Sequence, residues 1–269
     1  MYSETEIFTR TRRLVGDEAM ERLHAARVIV FGVGGVGGWC AESLVRSGIR
    51  RLTMVDMDDV APSNLNRQLP ATVSAIGQAK VDVLCRRFRD INPHAEVAGL
   101  CRRYTAETSA SFGLEGYDYV VDAIDSLEDK AHLILTATAC GTRLFSSMGA
   151  ALKLDPARIG VAEFWKVKGC PLAAALRRRF KKRGEFPARK FRCVYSEELL
   201  ENLGTTDEDP GTKARVNGTF AHATAIFGFT LAGLVVQDIL KAPSEPVFTK
   251  NDPVLPVSGP YLAKKDGGE

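Results

Sequence analysis

The sequence has few cysteines, and no two of them form a Cys-x-x-Cys pair. Its six cysteines are scattered at positions 40, 85, 101, 140, 170 and 193 of 269 residues. A zinc ribbon needs closely spaced cysteine pairs, and a small secreted scaffold needs a high density of cysteines. The sequence therefore excludes both classes, and we expect a protein of the reducing cytoplasm.

No targeting segment is expected, and the chain has no dominant sign of charge. Its first six residues are polar and acidic, so they contain no apolar core of signal-peptide length. The 36 Lys and Arg residues nearly balance the 33 Asp and Glu residues, which leaves a net charge of +3. Such a small excess does not by itself indicate a nucleic-acid-binding protein, and only a local concentration of charge could do so.

The stretch at 218–237 is long enough to span a membrane and has no formal charge, so its location has to be interpreted. However, it contains His222, three threonines and three glycines, and Asp238 follows it directly. Polar groups of this kind disfavour a membrane span. We predict a buried helix, at a contact between subunits, and no association with a membrane.

A glycine-rich turn organises the amino-terminal half. The apolar run 27–31 breaks into Gly32, Gly34, Gly35 and Gly37 and then resumes with helical spacing. This pattern predicts a strand, a tight turn and a helix whose first N–H groups face an anion. A second apolar run ends at Asp56, where a carboxylate can accept a ribose hydroxyl. The segment therefore predicts a nucleotide site, and by itself it favours a nicotinamide dinucleotide over ATP.

Alternating strand and helix patterns continue to residue 148. Helices are predicted at 17–23, 77–92 and 128–140, and strands at 96–100, 117–125 and 143–148, with a polar arm at 7–13 and an irregular loop at 56–69. The fold class is α/β: a doubly wound, Rossmann-like, mostly parallel sheet, with an additional carboxy-terminal strand at 158–165 and the helix above. Residues 1–242 are expected to form one domain, and the proline-rich residues 243–269 an extended, partly disordered tail.

The residues after Asp56 favour ATP instead. Asn64, Arg67 and Gln68 lie in the polar loop, Lys80 begins the next helix, and Asp125 ends a later strand. Attack on an α-phosphate spreads negative charge over two fragments, and fixed cations with a carboxylate-bound Mg²⁺ stabilise that charge. Because parallel strands bring these positions to one edge of the sheet, we predict an ATP and Mg²⁺ site there.

These motifs, in this order, resemble the ubiquitin-activating-enzyme-like superfamily, whose members adenylate carboxylates with ATP. The resemblance rests on G-x-G-G-x-G at 32–37, D-x-D at 56–58, N-L-N-R-Q at 64–68, Lys80 and D-A-I-D at 122–125. Within the superfamily, stretches 8–11, 170–173, 193–197 and 217–228 are most similar to the tRNA threonylcarbamoyladenosine dehydratases. That resemblance implies an ATP-dependent dehydration that cyclises N6-threonylcarbamoyladenosine in tRNA through adenylation of its carboxylate.

The resemblance also implies roles for particular residues. Catalytic contributions are expected from Arg10, Arg67, Lys80 and Asp125, and Mg²⁺ is expected on Asp125. Arg10 matches an arginine that reaches the triphosphate of a neighbouring subunit, which implies a homodimer. Contacts with ATP are expected from Gly32, Gly34, Gly35, Gly37, Asp56, Asp58, Asn64, Arg67, Gln68, Lys80, Asp122, Asp125 and Ser126.

Segment 166–215 is dense in charge and is expected to be a long, mobile crossover. Eleven cations face one acid in residues 166–192, whereas the rest of the chain mixes both signs. Such a bias favours a phosphate-binding surface over a merely solvated helix face. We expect tRNA to bind Arg177, Arg178, Arg179, Lys181, Lys182 and Arg183.

Three functions are compatible with these patterns. The dehydratase is favoured, an adenylyltransferase for a small ubiquitin-like sulfur carrier is the alternative, and a non-catalytic nucleotide-binding scaffold is the third. The conjugating cysteine of sulfur-carrier-activating relatives has no clear counterpart, and Cys193 is interpreted as a structural cysteine. A sulfur-transfer or accessory protein as a further partner stays open.

Overall fold

The structure is a computed structural model that describes residues 2–204 and 217–241. Its centre is a seven-stranded sheet with the spatial order β3-β2-β1-β4-β5-β7-β6. All neighbouring strands run parallel except β6, which lies at one edge and pairs antiparallel with β7. The strands are β1 (Arg27–Phe31), β2 (Arg51–Val55), β3 (Glu96–Leu100), β4 (Tyr119–Asp122), β5 (Arg143–Ser147), β6 (Ile159–Glu163) and β7 (Arg192–Ser196).

Helices cover both faces of this sheet, which confirms the predicted doubly wound α/β class. Side chains of β1 show why: Val28 and Val30 pack into one core, whereas Ile29 and Phe31 pack into the other. A strand buried on both sides is apolar at nearly every position. The helices are α1 (Glu4–Ile7), α2 (Thr9–Val15), α3 (Asp17–Ala25), α4 (Gly37–Arg46), α5 (Lys80–Ile91), α6 (Leu127–Ala139), α7 (Pro171–Arg183) and α8 (Ala221–Leu240).

The two cores contain different helices. Buried residues of α3, α4, α5 and α8 share the core that contains Val28, and those of α6 and α7 share the core that contains Ile29. The strand order reverses between β1 and β4, whose last paired residues are Phe31 and Asp122. A ligand crevice is expected at such a switch point, beyond the carboxyl ends of the strands.

Helix α8 is a core helix, as the sequence predicted. It is long and apolar enough to cross a membrane by length and composition. However, Phe227, Leu231 and Val235 are fully buried in the same core as α4. Burial inside the protein therefore accounts for most of its apolar composition, although Phe229 is 47% exposed. The expected contact between subunits at this helix stays a prediction.

Two sequence predictions need correction. The polar arm predicted at 7–13 is instead helical and partly in the core, because α1 and α2 cover all of residues 4–15 except Phe8, which is buried beside His24. The first part of segment 166–215 is not a mobile crossover either, because it contains α7 and places β7 between β5 and β6. Residues 205–216 and the predicted tail at 243–269 lie outside the described residues.

Candidate active site

A crevice with a volume of about 760 Å³ opens at the carboxyl ends of the central strands. Its lining includes the glycine turn after β1, the end of β2, the loops after β3, β4 and β5, and the start of α7. The structure therefore brings most of the predicted nucleotide residues to one place. Those that line the crevice are Gly32, Gly34, Gly35, Asp56, Asp58, Arg67, Gln68, Lys80, Asp125 and Ser126.

The glycine turn adopts a backbone that larger residues would prevent. Gly32 has φ +81°, and a Cβ placed there would lie 2.8 Å from the carbonyl oxygen of Ala123. A Cβ on Gly37 would lie 1.8 Å from the carbonyl oxygen of Gly32. Gly37 thus lets α4 start directly against the strand, which leaves the first N–H groups of the helix close to the crevice.

Asp56 is fixed by the backbone around it. Its Oδ2 accepts a hydrogen bond of 2.8 Å from the N–H of Val33, and its Oδ1 accepts one of 2.9 Å from the N–H of Asp58. The carboxylate therefore joins β2 to the glycine turn. Each oxygen keeps a further lone pair for a hydroxyl donor in the crevice.

Lys80 is a buried cation in contact with a carboxylate. Only 5% of its side chain is exposed, and its Nζ lies 2.8 Å from Oδ2 of Asp58, whose side chain is 54% exposed. The backbone N–H of Lys80 also donates to the carbonyl oxygen of Asp58. Asp58, expected to contact ATP, thus holds the lysine in place. The two acids of the D-x-D motif therefore have different partners: Asp56 binds the glycine turn, and Asp58 binds Lys80.

Arg67 lies on the loop between β2 and α5, and contacts within that loop hold it. Its Nη1 donates to the carbonyl oxygen of Ser63 at 2.8 Å and to Oδ1 of Asn66 at 2.9 Å. Its own carbonyl oxygen accepts a bond of 3.1 Å from Nε1 of Trp39, at the start of α4. Both ends of Arg67 are therefore anchored before any ligand arrives.

Asp125 presents a free carboxylate at the crevice. It forms no hydrogen bond or salt bridge with the other residues in the described ranges, and it is exposed. The pKa of Arg103 is raised by its hydrogen bonds to Asp129 first and by the charge of Asp125 to a smaller extent. Mg²⁺ prefers one or two carboxylates together with phosphate oxygens. An exposed carboxylate at the edge of this crevice fits that donor set.

Asp122, expected to contact ATP, is buried beneath the crevice instead. It forms a fully buried ion pair with Lys130, whose Nζ lies 2.9 Å from its Oδ2. The same carboxylate accepts bonds from Ser146 on β5 and from the N–H of Ile124, while Lys130 also donates to the carbonyl oxygen of Ile124. Asp122 thereby positions the loop that carries Asp125, and Lys130 is a partner that the sequence did not reveal.

Three other predicted residues do not line the crevice. Asn64 is buried, and its Oδ1 accepts a bond of 3.1 Å from the N–H of Ala61, which shapes the loop. Gly37 packs α4 on the strand, as described above. Arg10 is exposed on α2 and takes no part in the crevice of its own chain. Contacts of these residues with ATP therefore stay predictions.

Three of the six predicted tRNA-binding cations have partners within the protein, and two of these, Arg177 and Arg179, are only partly exposed. Nη1 of Arg177 donates to the carbonyl oxygens of Phe164 and Val167, at 3.1 and 2.8 Å. Arg179 is 11% exposed and pairs with Glu128. The other four, Arg178, Lys181, Lys182 and Arg183, are exposed on α7, and Arg183 also lies 3.4 Å from Glu128. The exposed cluster is thus smaller than predicted.

Sequence reasoning missed three cations that line the crevice, Arg102, Arg103 and Lys153. Arg102 and Arg103 directly follow the carboxyl end of β3, a position that the predicted sheet could have revealed. Lys153 follows β5 by six residues and belongs to no motif. Cys193, in contrast, is fully buried in β7, and burial raises the pKa of its thiol. A thiol in that state is not a nucleophile.

A switch-point crevice with a glycine turn, a buried lysine and a free carboxylate defines an adenylate-forming, nucleotide-binding α/β domain. The model of the ThiF family matches residues 8–255, and the chain belongs to this family.

Relatives and solved structures agree with this membership. The tRNA threonylcarbamoyladenosine dehydratase of Bacillus subtilis is 39% identical over 246 residues, which cover 87% of this chain and 94% of the relative. The Escherichia coli enzyme of the same name is 38% identical over 251 residues, with 87% and 93% covered. The crystal structure of Escherichia coli TcdA with ATP superposes with a TM-score of 0.78 at 35% identity, covering 89% and 97% of the two chains. A structure with AMP gives the same TM-score.

Proposed function

We propose that this protein is an ATP-dependent dehydratase that cyclises N6-threonylcarbamoyladenosine in tRNA, as a cytoplasmic homodimer. One observation carries the proposal: the crevice combines the glycine turn, buried Lys80 and free Asp125. Relatives that align along nearly their whole length act in this way by name, and a similar structure binds ATP.

ATP would lie across the switch point. Asp56 offers carboxylate oxygens to the ribose, and the N–H groups at the start of α4 face the phosphates. Lys80 and Arg67 add positive charge at the end of β2, where the developing charge on pyrophosphate needs it. Because contacts within the protein already hold both cations, little reorganisation accompanies the reaction.

The first chemical step forms an acyl-adenylate. A carboxylate oxygen of the substrate attacks the α-phosphorus, the bond from this phosphorus to the bridging oxygen breaks, and pyrophosphate leaves with the electron pair. Asp125 would hold a Mg²⁺ ion that neutralises the phosphate oxygens when bound. The residues in the crevice then need only to orient ATP and to exclude water from the adenylate.

The second step closes the ring. The ureido nitrogen attacks the acyl carbon, the bond from that carbon to the AMP oxygen breaks, and the nitrogen loses its proton to solvent. The oxygen removed from the substrate leaves on AMP, so the net change is a dehydration. This sequence needs no enzyme nucleophile, which suits a chain whose Cys193 is buried.

Arg10 would act on the crevice of the partner subunit. It is exposed on α2 and does not line the crevice of its own chain, so only a second copy could bring it to the phosphates. Mixing an Arg10→Ala chain with a Lys80→Ala chain would restore one complete site per dimer. Activity of the mixed dimer well above that of either variant is expected, and mixed dimers that stay inactive would refute action across the subunits.

The tRNA would dock on α7, which connects the crevice to a basic surface. Pro171 and Leu172, at the start of the helix, line the crevice. Lys182 lies ten residues after Leu172, about 15 Å along the helix axis. A nucleotide in the crevice would therefore have neighbouring phosphates within reach of Arg178, Lys181 and Lys182.

The direct test uses purified protein with tRNA that contains N6-threonylcarbamoyladenosine. Mass spectrometry of the nucleosides should show a product lighter by one water, formed only with ATP and accompanied by AMP. Asp125→Asn should abolish most of the product, while Asp90→Asn, an exposed carboxylate on α5, is the matched control. Pyrophosphate exchange that depends on a sulfur-carrier protein and not on tRNA would favour the adenylyltransferase alternative.

A further inference from the structure

Lys153 combines two unfavourable features that the described part of the protein does not compensate. The residue is 3% exposed, and its Nζ has no hydrogen-bond partner within residues 2–204 and 217–241. Burial lowers the pKa of Lys153, and the charge of Glu198 offsets this only in part, so the charged form is destabilised where it stands. An isolated charge is expensive to bury, and such groups are normally paired. A buried lysine without a partner therefore needs an explanation.

The turn that carries Lys153 is held in place from several directions. Leu152 has φ +60°, the only positive φ at a residue other than glycine within the described ranges. Its N–H donates to the carbonyl oxygen of Gly218, and its carbonyl oxygen accepts from the N–H of Leu200. The carboxylate of Glu198 accepts from the next two N–H groups that follow Lys153. A left-handed conformation costs about 1–2 kcal/mol for such a residue and persists only where its surroundings enforce it.

The crevice has two chemically different halves. Arg67, Lys80, Arg102 and Arg103 line the half that contains the ends of β2 and β3, where the triphosphate would lie. In the half that follows β5, the described lining residues are small, apolar or uncharged, with Lys153 as the single ionisable side chain. One cation against an apolar wall suits one carboxylate, whereas a triphosphate needs several cations.

We propose that Lys153 binds the carboxylate of the substrate's threonyl group. This inference rests on the proposed function and adds a residue for the carboxylate that reacts. Lysine carries its amine on a flexible stem, so a change of rotamer can bring Nζ to an anion in the crevice. One carboxylate oxygen would attack the α-phosphorus while the other stays hydrogen-bonded to Nζ. In ring closure, the oxygen bonded to Nζ gains negative charge as the ureido nitrogen attacks. The hydrogen bond from Nζ would stabilise that charge.

The proposal is tested with Lys153→Met, which keeps the length of the side chain and removes its charge. The kcat/KM for the modified tRNA should fall by about 10- to 100-fold, the effect of one lost hydrogen bond to a charged group. The affinity for ATP, measured by calorimetry, should not change. The Tm should stay the same or rise, because an unpaired buried charge is removed. Lys241→Met, an exposed lysine at the end of α8, is the control and should alter none of these.

The outcomes separate this proposal from the proposed function. If the unaltered protein does not cyclise the modified nucleoside, the proposed function fails. If it does and Lys153→Met keeps its kcat/KM, only the role of Lys153 is wrong. A fall in Tm would contradict the proposal, because it would show that the charge of Lys153 stabilises the fold through an acid of its own chain such as Glu198. Lys153→Gln, which keeps a donor, gives the same comparison if the methionine variant does not fold.

Discussion

The two halves of the crevice differ in whether their cations are paired with carboxylates of the protein. On the β2 side, Lys80 and Arg103 are each paired with a carboxylate of the protein, Asp58 and Asp129, at 2.8 Å. On the β5 side, Lys153 is buried without a partner in the described residues. In the paired half, contacts within the protein hold the cations in place before ATP binds. Such preorganised charges need no reorganisation during the reaction. The charge of Glu198 offsets the burial of Lys153 only in part, so an anion that gives Nζ a hydrogen-bond partner would stabilise it, which favours a carboxylate substrate there.

The buried ion pair that joins these halves gives the largest expected effect. Lys130→Met would leave Asp122 charged at a position with no exposed surface. Removing one partner of a buried pair costs about 3–5 kcal/mol of folding free energy. Urea denaturation should show a loss of this size, with activity reduced even in the folded fraction because the loop before α6 loses its support.

A double variant sharpens this prediction. Asp122→Asn combined with Lys130→Met removes both charges, so it should be less destabilised than Lys130→Met alone. Equal destabilisation of the single and double variants would mean that packing, and not an uncompensated charge, causes the loss. Asp122 contacts both Ser146 on β5 and Ile124 after β4. The activity of the double variant therefore also shows whether these two segments keep their relative position.

The next largest effect is expected for Asp125, whose carboxylate lies between the two halves of the crevice. Asp125→Ala removes the proposed metal-binding group, and the loss of one strong electrostatic stabiliser lowers kcat by about 10²- to 10³-fold. The binding of nucleotide without metal should change little, because Asp56 and the glycine turn remain. Rates near those of the unaltered protein at all Mg²⁺ concentrations would remove Asp125 from the proposed metal site.

A moderate effect is expected on the basic surface that extends from the β5 side. Replacing Arg178, Lys181 and Lys182 by Gln should weaken tRNA binding and flatten its dependence on salt. Each lost duplex phosphate contact lowers the log–log slope by about 0.9. Affinity for ATP should be unchanged, because these side chains lie on the exposed part of α7.

A matched triple variant provides the control for that experiment. Arg51, Arg86 and Lys241 are exposed cations away from α7, so replacing them by Gln removes the same total charge. Its salt dependence should stay that of the unaltered protein. If both triple variants lose the same slope, tRNA responds to net charge alone and α7 is not the docking surface.

The smallest effect concerns the turn around Lys153 at low pH. Hydrogen bonds from the N–H groups of Leu154 and Asp155 lower the pKa of Glu198. Its contribution to stability is therefore complete above the pKa of the unfolded state, near 4.3, and is lost as pH falls through the lower pKa of the folded state. Glu198→Gln should make the urea midpoint fall less steeply between about pH 5 and pH 3. Parallel curves for the two proteins would contradict this.

Local patterns in the sequence predicted one half of the crevice much better than the other. The glycine turn, the apolar strands and the acids at their ends are local signals, and β3 was predicted at its observed limits. Strand β7 was not predicted as a strand, because it is five residues long and stands in charged surroundings. Asp122 was expected to contact ATP, but its carboxylate is fully buried against Lys130, whereas Asp58 lines the crevice while it pairs with Lys80. Lys153 could not be predicted as a site residue, because only its burial in the fold distinguishes it from other lysines, and no local pattern encodes that burial.

Trp39 gives the protein an optical reporter of its own. Its indole N–H is bonded to the carbonyl oxygen of Arg67, so the fluorophore is tied to the loop that would meet the phosphates. The other tryptophan, Trp165, lies on the far side of the sheet next to Phe186. A Trp165→Phe variant would therefore emit from Trp39 alone, and movement of the loop during catalysis could be followed as a change in emission without any attached dye.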